Sequence, residues 1–449
     1  MTNSNSSTKD LSTLVQKKLK GAKIKYPEPN EEVLNKLFET LFFTSLKTEE
    51  GQFIKVTVTL IDPDNPDPSP PQRIVADRWK YIKFKNPIEF SVKNLVKLSK
   101  AADVWSSSLA VYYDNKNSLT IWGMIDQAVH YQSFLNYEAE SGPEQPGLFQ
   151  STIVGIGNIV VLFDYELIAN LKQNVLISNY IDVFRKGAVN EIIEKKNSGL
   201  RQKISQYVRQ EFPDEERGIW SSYADDIAKQ TIIRILLRIQ NYQHGGALLI
   251  TDKIKSDLDI KYKIEYERLP ESMERLLQLL VQNTTHSDII HNDYLDPEEV
   301  EMPVSLYLDE DLSRFEKEDT RSEVKGAIRF IASLSCVDGL VVLDNSLKVE
   351  GFGAVIKAKE LPEFIYVSKT SIINEERLAE TNPNNLGTRH RSMFSYCWTN
   401  KGSLGFVISQ DGDIRAITRI NDKLIMWENI RVLQFLQSRK LRRPAASKK

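Results

Sequence analysis

The run "GALLIT" (Gly246–Thr251) comes straight after a helix-period segment, "SYADDIAKQTIIRILLRIQNY", and the helix stop "HGG" (His244–Gly246) lies between them. A continuous apolar run this short suits a strand buried on both faces, and such strands sit in sheets covered by helices on both sides. The same alternation continues down the chain. "PESMERLLQLLVQ" has helical spacing, and "SEVKGAIRFIASLS" reads as a helix with Ser322 as N-cap. "VDGLVVLD" and "VEGFGAVIK" read as strands joined by a turn at "NSL"; "GTRHRSMFSYCWT" opens a helix; "SLGFVISQ" and "DIRAITRI" are strands flanking the turn "QDGD". The fold class is therefore α/β, with a domain over residues 224–430 built on a central mixed sheet flanked by helices. Acidic, poorly periodic residues near 283–320 and a segment near 357–384 read as insertions or long loops.

The first part of the chain has another character. "QFIKVTVTLI" alternates apolar and polar residues and runs into "DPDNPDPSPP" (Asp62–Pro71), whose prolines forbid helix and central strand. "RWKYIKFK" and "IEFSV" read as strands. "LAVYYDNKNSLTIWGMI" is a hairpin with its turn at "DNKN", and "FQSTIVGIG" and "NIVVLFDY" add further strands. Together these predict a β-rich α+β domain over 31–180, preceded by a polar, disordered lead (1–30) and followed by a helical connector (181–223). A basic tail (431–449) closes the chain.

Composition narrows the function. A formal net charge of −2 provides no whole-protein field toward nucleic acid or membrane. Two cysteines, Cys336 and Cys397, cannot build a disulfide framework or a four-ligand zinc site, and both read as buried, inert thiols. No run approaches the length of a membrane span and no signal-like segment opens the chain, so a soluble cytoplasmic protein is expected.

Two short motifs carry chemistry. In "GTRHR", Gly387 and Thr388 at a strand-to-helix junction expose amide N–H groups and a hydroxyl, Arg389 and Arg391 offer forks that match phosphate oxygens, and His390 is a donor or metal ligand. Read alone, the pentapeptide equally suits a solvated helix start. In "SLSCVDGLVVLD", Asp338 is a reasonable ligand for a metal that accompanies a triphosphate, and Gly339 allows close approach; alternatively the pair is a plain turn at the strand start.

Taken in order, "GGALLIT", "VDGLVVLDNSLKVEGFGAVI", "GTRHRS" and "LGFVISQDGDIRAI" resemble the catalytic domain of the diadenylate cyclase (DAC) family, over roughly Ala224–Ile420. The stretch "LTIWGMIDQAVHYQSFLNYEAESGPEQPGLFQSTIVGIGNIVVLFDYELIANL" resembles the probable sensor domain of the DACNV type that precedes certain such domains in bacteria. The resemblance implies condensation of two ATP into cyclic di-AMP with release of two pyrophosphates, each ATP held by one of two facing domains from two copies of the chain. Asp338 would hold Mg²⁺ or Mn²⁺, and Gly339 would admit the ligand. Thr388, Arg389, His390 and Arg391 would grip phosphate, and Gly387, Leu340, Ser409 and Gln410 would complete the nucleotide site. Two positions depart from the family pattern: Leu340 replaces the alanine of Asp-Gly-Ala, and Gln410 replaces a frequent glutamate. They leave open a catalytically silent nucleotide-binding module, or a synthase of another cyclic dinucleotide. In the sensor-like part, Trp122, His130, Tyr131 and Phe149 either line a pocket for an unknown ligand or belong to the core.

Overall fold

The computed structural model describes residues 5–20, 28–67, 78–104, 106–127, 133, 148–164, 166–213, 217–242, 244–252, 254, 256–295, 301–410 and 412–432. Two compact units divide the chain, Met1–Tyr180 with Leu433–Lys449, and Ile181–Val432. His130, Tyr131 and residues 433–449 of the basic tail lie outside the described residues.

The first unit opens with α1 (Thr8–Leu19), where a disordered lead was expected. Ser7 and Asp10 form a reciprocal capping box, and Leu11, Val15 and Leu19, four residues apart, are fully buried in the unit's core. Lys18 donates to the carbonyls of Ile168 and Ser178. The polar composition of the lead hid an ordinary amphipathic helix. Ser7→Ala is expected to lower the stability of this unit by about 1 kcal/mol, read as a shift in the urea midpoint.

Helix α2 (Glu31–Ser45) and a short hairpin, β1 (Thr48–Glu49) and β2 (Gln52–Phe53), lead into the main sheet. Its strands are β3 (Val56–Leu60), β4 (Lys80–Glu89), β5 (Ser107–Tyr113), β6 (Leu119–Asp126), β7 (Phe149–Gly155), β8 (Asn158–Phe163), β9 (Glu166–Lys172) and β10 (Val175–Ile177). Their order is β10-β9-β8-β7-β3-β5-β6-β4, antiparallel except for β3 and β5. Where two strands were expected in 78–92, one edge strand, β4, carries Pro87 inside a register shift between Lys83 and Ile88, and α3 (Val92–Leu98) comes after it. The "DNKN" hairpin forms, with Asn117 at φ 58°. Val56, Val58, Leu109, Val111 and Ile121 join the core that α1 and α2 cover.

In the second unit the residues read as a connector are integral. Helices α4 (Ala188–Lys196), α5 (Ser198–Glu211) and α6 (Arg217–Asn241) pack within it, and Ile204, Val208, Trp220 and Ala224 share a core cluster with Leu277 and Val281. The 283–320 loop expectation also fails. Helix α7 (Arg268–Ile289) runs through a π-helical turn (Ile290–Leu295), and α8 (Val304–Leu334) returns beside it. Ser322 is therefore inside a helix and caps nothing. The Asn283 amide bonded to Glu310 and the Ser272 hydroxyl bonded to Glu323 join the two helices, while Arg314–Asp311 and Arg321–Glu318 are pairs along α8 itself; the acidity of the segment is that of a solvated helix face.

The sheet contains β11 (Gly246–Ile250), β12 (Leu258–Tyr266), β13 (Leu340–Leu343), β14 (Val349–Ile356), β15 (Ile365–Ser368), β16 (Ala379–Thr381), β17 (Leu404–Ile408), β18 (Ile414–Ile420) and β19 (Lys423–Trp427). The order β12-β14-β13-β11-β17-β18-β19-β15-β16 is mixed, with β11–β13 and β15–β19 parallel. The segment near 357–384 thus supplies two edge strands. β11, β13 and β17 are buried at every position, as expected of strands covered on both faces. On one face Ala247, Leu249, Val407 and Ile417 pack against Met393, Phe394 and Cys397 of α9 (Thr388–Thr399). Gly405 makes that approach possible, since a Cβ there would run into the Met393 side chain. On the other face Phe184 stacks on Phe406 at 5.9 Å. Burial pushes the Cys397 thiol up to about 12, an inert group. Cys336, expected to be buried, is exposed at the end of α8.

Candidate functional site

One end of the second sheet gathers the motifs. β11 and β13 are parallel, with Leu248 beside Val341, so the register carried back sets Gly246 beside Gly339 and Gly245 beside Asp338. β17 is antiparallel to β11 and pairs Gly246 with Ile408, so Ser409 and Gln410 emerge at the same end. Adjacent strands lie about 5 Å apart, which makes these backbones immediate neighbours. Gly245 links them to α9: a Cβ there would lie 2.8 Å from Arg389 Nη1, 2.9 Å from Ile408 O and 3.1 Å from Gln410 N. Gly245 also has φ +64°. It keeps open the space that the Arg389 head enters.

Asp338 is exposed and has no hydrogen-bond or ion-pair partner among the described residues. Gly339, at φ +116°, turns the chain onto β13 so closely that an added Cβ would meet the backbone of Gly353 and Ala354. Only glycine fits. Leu340, expected at the nucleotide, instead packs in the core with Ala247, Val342 and Ala354 and is 6% exposed, because strand alternation turns it toward α9.

Gly387 is the N-cap residue of α9, yet no side chain caps the helix. The amides of His390 and Arg391 bond back to the Gly387 carbonyl at 3.0 and 3.1 Å, while those of Thr388 and Arg389 have no partner among the described residues. Open amides at the positive end of a helix dipole favour an anion. Arg389 is exposed and has no ion-pair partner among the described residues, and Arg391 reaches Thr388 Oγ1 at 3.4 Å. The Arg391 Nε is buried without an acceptor among the described residues.

His390 has a different part from the one expected. It is 9% exposed, and its Nε2 lies 3.0 Å from Arg415 Nη1. A guanidinium has no acceptor, so Nε2 must accept and the proton sits on Nδ1. Arg415 in turn bonds Glu428 Oε1 through Nε at 3.1 Å. His390 therefore props Arg415 and presents no free Nε2 to a phosphate or metal. Burial first, then the charges of Arg415 and Arg389, push its pKa down to about 4, with Asp413 opposing. The unfolded side chain titrates near 6.5, so between those values the unfolded chain takes a proton the folded chain refuses. This contribution to stability is complete above about pH 6.5 and is lost as pH falls toward 4, by about 2 kcal/mol at pH 4.5. Urea unfolding of wild type and His390→Gln at pH 7 and 4.5 should show the variant losing less stability on acidification by that amount; equal losses would contradict it.

Ser409 shapes the neighbouring turn: its Oγ accepts from Asp413 N at 3.0 Å, and its own N–H donates to Asp413 O at 2.9 Å. Gln240 on α6 fastens the same turn by donating to Gly412 O at 2.6 Å. Gln410 is exposed. Sequence reading missed Gly245, Arg415 and Gln240 as parts of this site; Arg415 carried a signal, a charge between the apolar residues Ile414 and Ala416 of β18.

No group of three or more His, Cys, Asp or Glu among the described residues could hold a metal ion. The motif carboxylate Asp338 alone fits Mg²⁺ or Mn²⁺ in the manner of a metal whose shell is completed by phosphates and water. The end of the sheet is thus suited to a polyanion: two arginines and open amides on one side, and one carboxylate opposite.

In the sensor-like part, Trp122 is buried with its Nε1 donating to Ile61 O at 2.8 Å, and Phe149 joins the core under α1 and α2. Residues 23–126 match the family model described as the probable sensor domain DACNV. The match takes in α2, α3 and β1–β6, and overlaps the sensor-like stretch read from Leu119 onward only as far as Asp126. No curated protein and no solved structure matches the chain. No helix among the described residues is long and apolar enough to cross a membrane.

Proposed function

We propose that the second unit is a diadenylate cyclase whose output is governed by the N-terminal sensor domain. The observation that carries this reading is the convergence of Asp338–Gly339, Gly245, the Ser409–Gln410 turn and the uncapped start of α9 at one end of the sheet. Each 3′-hydroxyl attacks the α-phosphorus of the ATP on the other chain; a P–O bond forms, the hydroxyl proton passes to solvent, the bond from the α-phosphorus to the α–β bridging oxygen breaks, and pyrophosphate leaves. Two such transfers close cyclic di-AMP, so two copies of the chain must meet. Such transfer depends on positioning and charge stabilisation more than on a covalent nucleophile. Arg389, Arg391 and the Thr388 and Arg389 amides hold phosphate oxygens, and Asp338 would hold Mg²⁺ or Mn²⁺, which would supply neutralisation of charge on the triphosphate. His390 acts through Arg415. With ATP as its substrate, the protein works in the cytoplasm.

A nucleotide-binding module without turnover is the second reading. It is favoured by Gln410, which leaves Asp338 the one carboxylate among the candidate site residues read from the sequence. In either case Arg389→Ala removes a charged donor that makes no hydrogen bond or ion pair among the described residues. Calorimetric titration with ATP should show binding weakened by about tenfold or more with an unchanged melting temperature. Undiminished affinity would remove the phosphates from this end of the sheet.

A further inference from the structure

The β4–β6 edge of the first unit holds two buried polar atoms with nothing to bond among the described residues. The ladder pairs Lys80 with Asp126 and Tyr81 with Ile125; one step further it sets Trp79 opposite Gln127. Directly opposed residues of an antiparallel pair project from one face. Trp79 is 2% and Gln127 6% exposed, yet among the described residues Trp79 Nε1 has no acceptor and Gln127 Oε1 no donor. The other end of the Gln127 amide reaches Ser108 Oγ at 3.5 Å, so in either orientation one end stays unpartnered. Behind it runs a chain of uncharged groups: Ser108 Oγ meets Thr59 Oγ1 at 2.6 Å, and Gln150 Nε2 donates to Thr59 Oγ1 at 3.2 Å.

Beside these lies an aromatic and aliphatic cluster in which Trp79 packs with Trp122, Ile61, Ala110 and Ile125. The contrast between the two indoles is informative: Trp122 Nε1 is satisfied by Ile61 O, whereas Trp79 Nε1, in the same cluster, is not. Arg78, 5.0 Å from the Trp79 ring, is already held by both carboxylate oxygens of Asp67. Donor and acceptor thus come from opposed positions on one face of the ladder, beside an apolar cluster; Asp67 neutralises Arg78, and Lys83 Nζ lies 5.9 Å from the Trp122 ring. Buried groups left unpaired weaken a fold, and a partner that supplies both bonds at once regains that loss.

We propose that Trp79 and Gln127 form the recognition pair of a ligand site in the first unit, for a small uncharged planar molecule carrying a hydrogen-bond donor beside an acceptor, as an amide or a nucleobase does. Trp79 Nε1–H donates to its acceptor, Gln127 accepts from its donor, and the neighbouring apolar cluster of Trp122 and Ile125 backs the site. The site is independent of the nucleotide end of the second unit.

The test uses the full chain with adenine, uracil and nicotinamide in turn at millimolar concentration, with calorimetry and thermal unfolding as readouts. At least one should bind and raise the melting temperature. Gln127→Leu and Trp79→Phe should each weaken that binding by about tenfold or more. Each should also leave the ligand-free melting temperature at or above that of wild type, since each removes an unpartnered polar atom while keeping the bulk. Failure of all three probes to bind, or equal binding by both variants, overturns the proposal. So does a fall in the ligand-free melting temperature of both variants, which would mean buried water satisfies the pair and its role is structural.

Discussion

Asp338→Asn is expected to lower synthesis of the cyclic dinucleotide by about a hundredfold or more while leaving the melting temperature where it is. Both effects stem from its position. The side chain is exposed at the bend before β13 and has no partner among the described residues, so the fold asks nothing of its charge. A surface change of that kind moves stability by no more than about 0.5 kcal/mol. The amide is isosteric, but it lacks the charge a divalent ion needs. If the ion's stabilisation of transfer is worth several kcal/mol, losing about 3 of them costs about a hundredfold in rate. Product formation at the wild-type rate would take Asp338 out of the mechanism.

Gly339→Ala should act in the opposite sense, on the fold before the chemistry. The backbone is at φ +116°, and the new Cβ would sit 2.5 Å from Gly353 C, 2.8 Å from Gly353 Cα and 2.9 Å from Ala354 N. These are main-chain atoms of the paired strand β14, which no rotamer change can move aside. Strain plus displacement of a central strand should cost about 3 kcal/mol or more, a fall of roughly 6–12 °C for a unit of this size. Gly387→Ala is the control. That glycine has φ −62° and nothing within 4 Å of an added Cβ, so its loss should cost no more than the weaker cap, about 1 kcal/mol. Similar melting temperatures for the two variants would show that the turn onto β13 is slack.

The central strands were readable because their signals are local, whereas the edge strands β4, β15 and β16 were misread or taken for loop. "GALLI" and "LGFVI" are apolar throughout and form strands buried on both faces, and the "DNKN" and "QDGD" turns announce their hairpins. Helices fared worse where polarity misled. The lead conceals Leu11, Val15 and Leu19 at four-residue spacing behind Ser, Asn and Lys, and the capping pair Ser7 and Asp10 was the signal to weigh. The α7–α8 hairpin was hidden by its acidic solvated face.

At the site, Asp338, Gly339 and "TRHR" were legible as motifs, but their roles depend on tertiary placement that no spacing discloses. His390 differs from its neighbours because α9 turns it inward onto Arg415, twenty-five residues away. Leu340 differs from Asp338 because strand alternation turns it into the core while Asp338 stays at the exposed bend. The Trp79–Gln127 pair could not be read at all, since it depends on the register of two strands separated by the chain from Glu89 to Leu119.

Direct product identification tests the central claim most sharply. The full chain, and residues 181–449 alone to remove any restraint from the sensor domain, would be incubated with ATP and separately with the other nucleoside triphosphates in Mg²⁺ or Mn²⁺, and the products weighed by mass spectrometry. Cyclic di-AMP with pyrophosphate from ATP, absent in Asp338→Asn, is the predicted result. ATP bound but returned intact by both forms of the protein would contradict the cyclase and leave a nucleotide-binding module in its place.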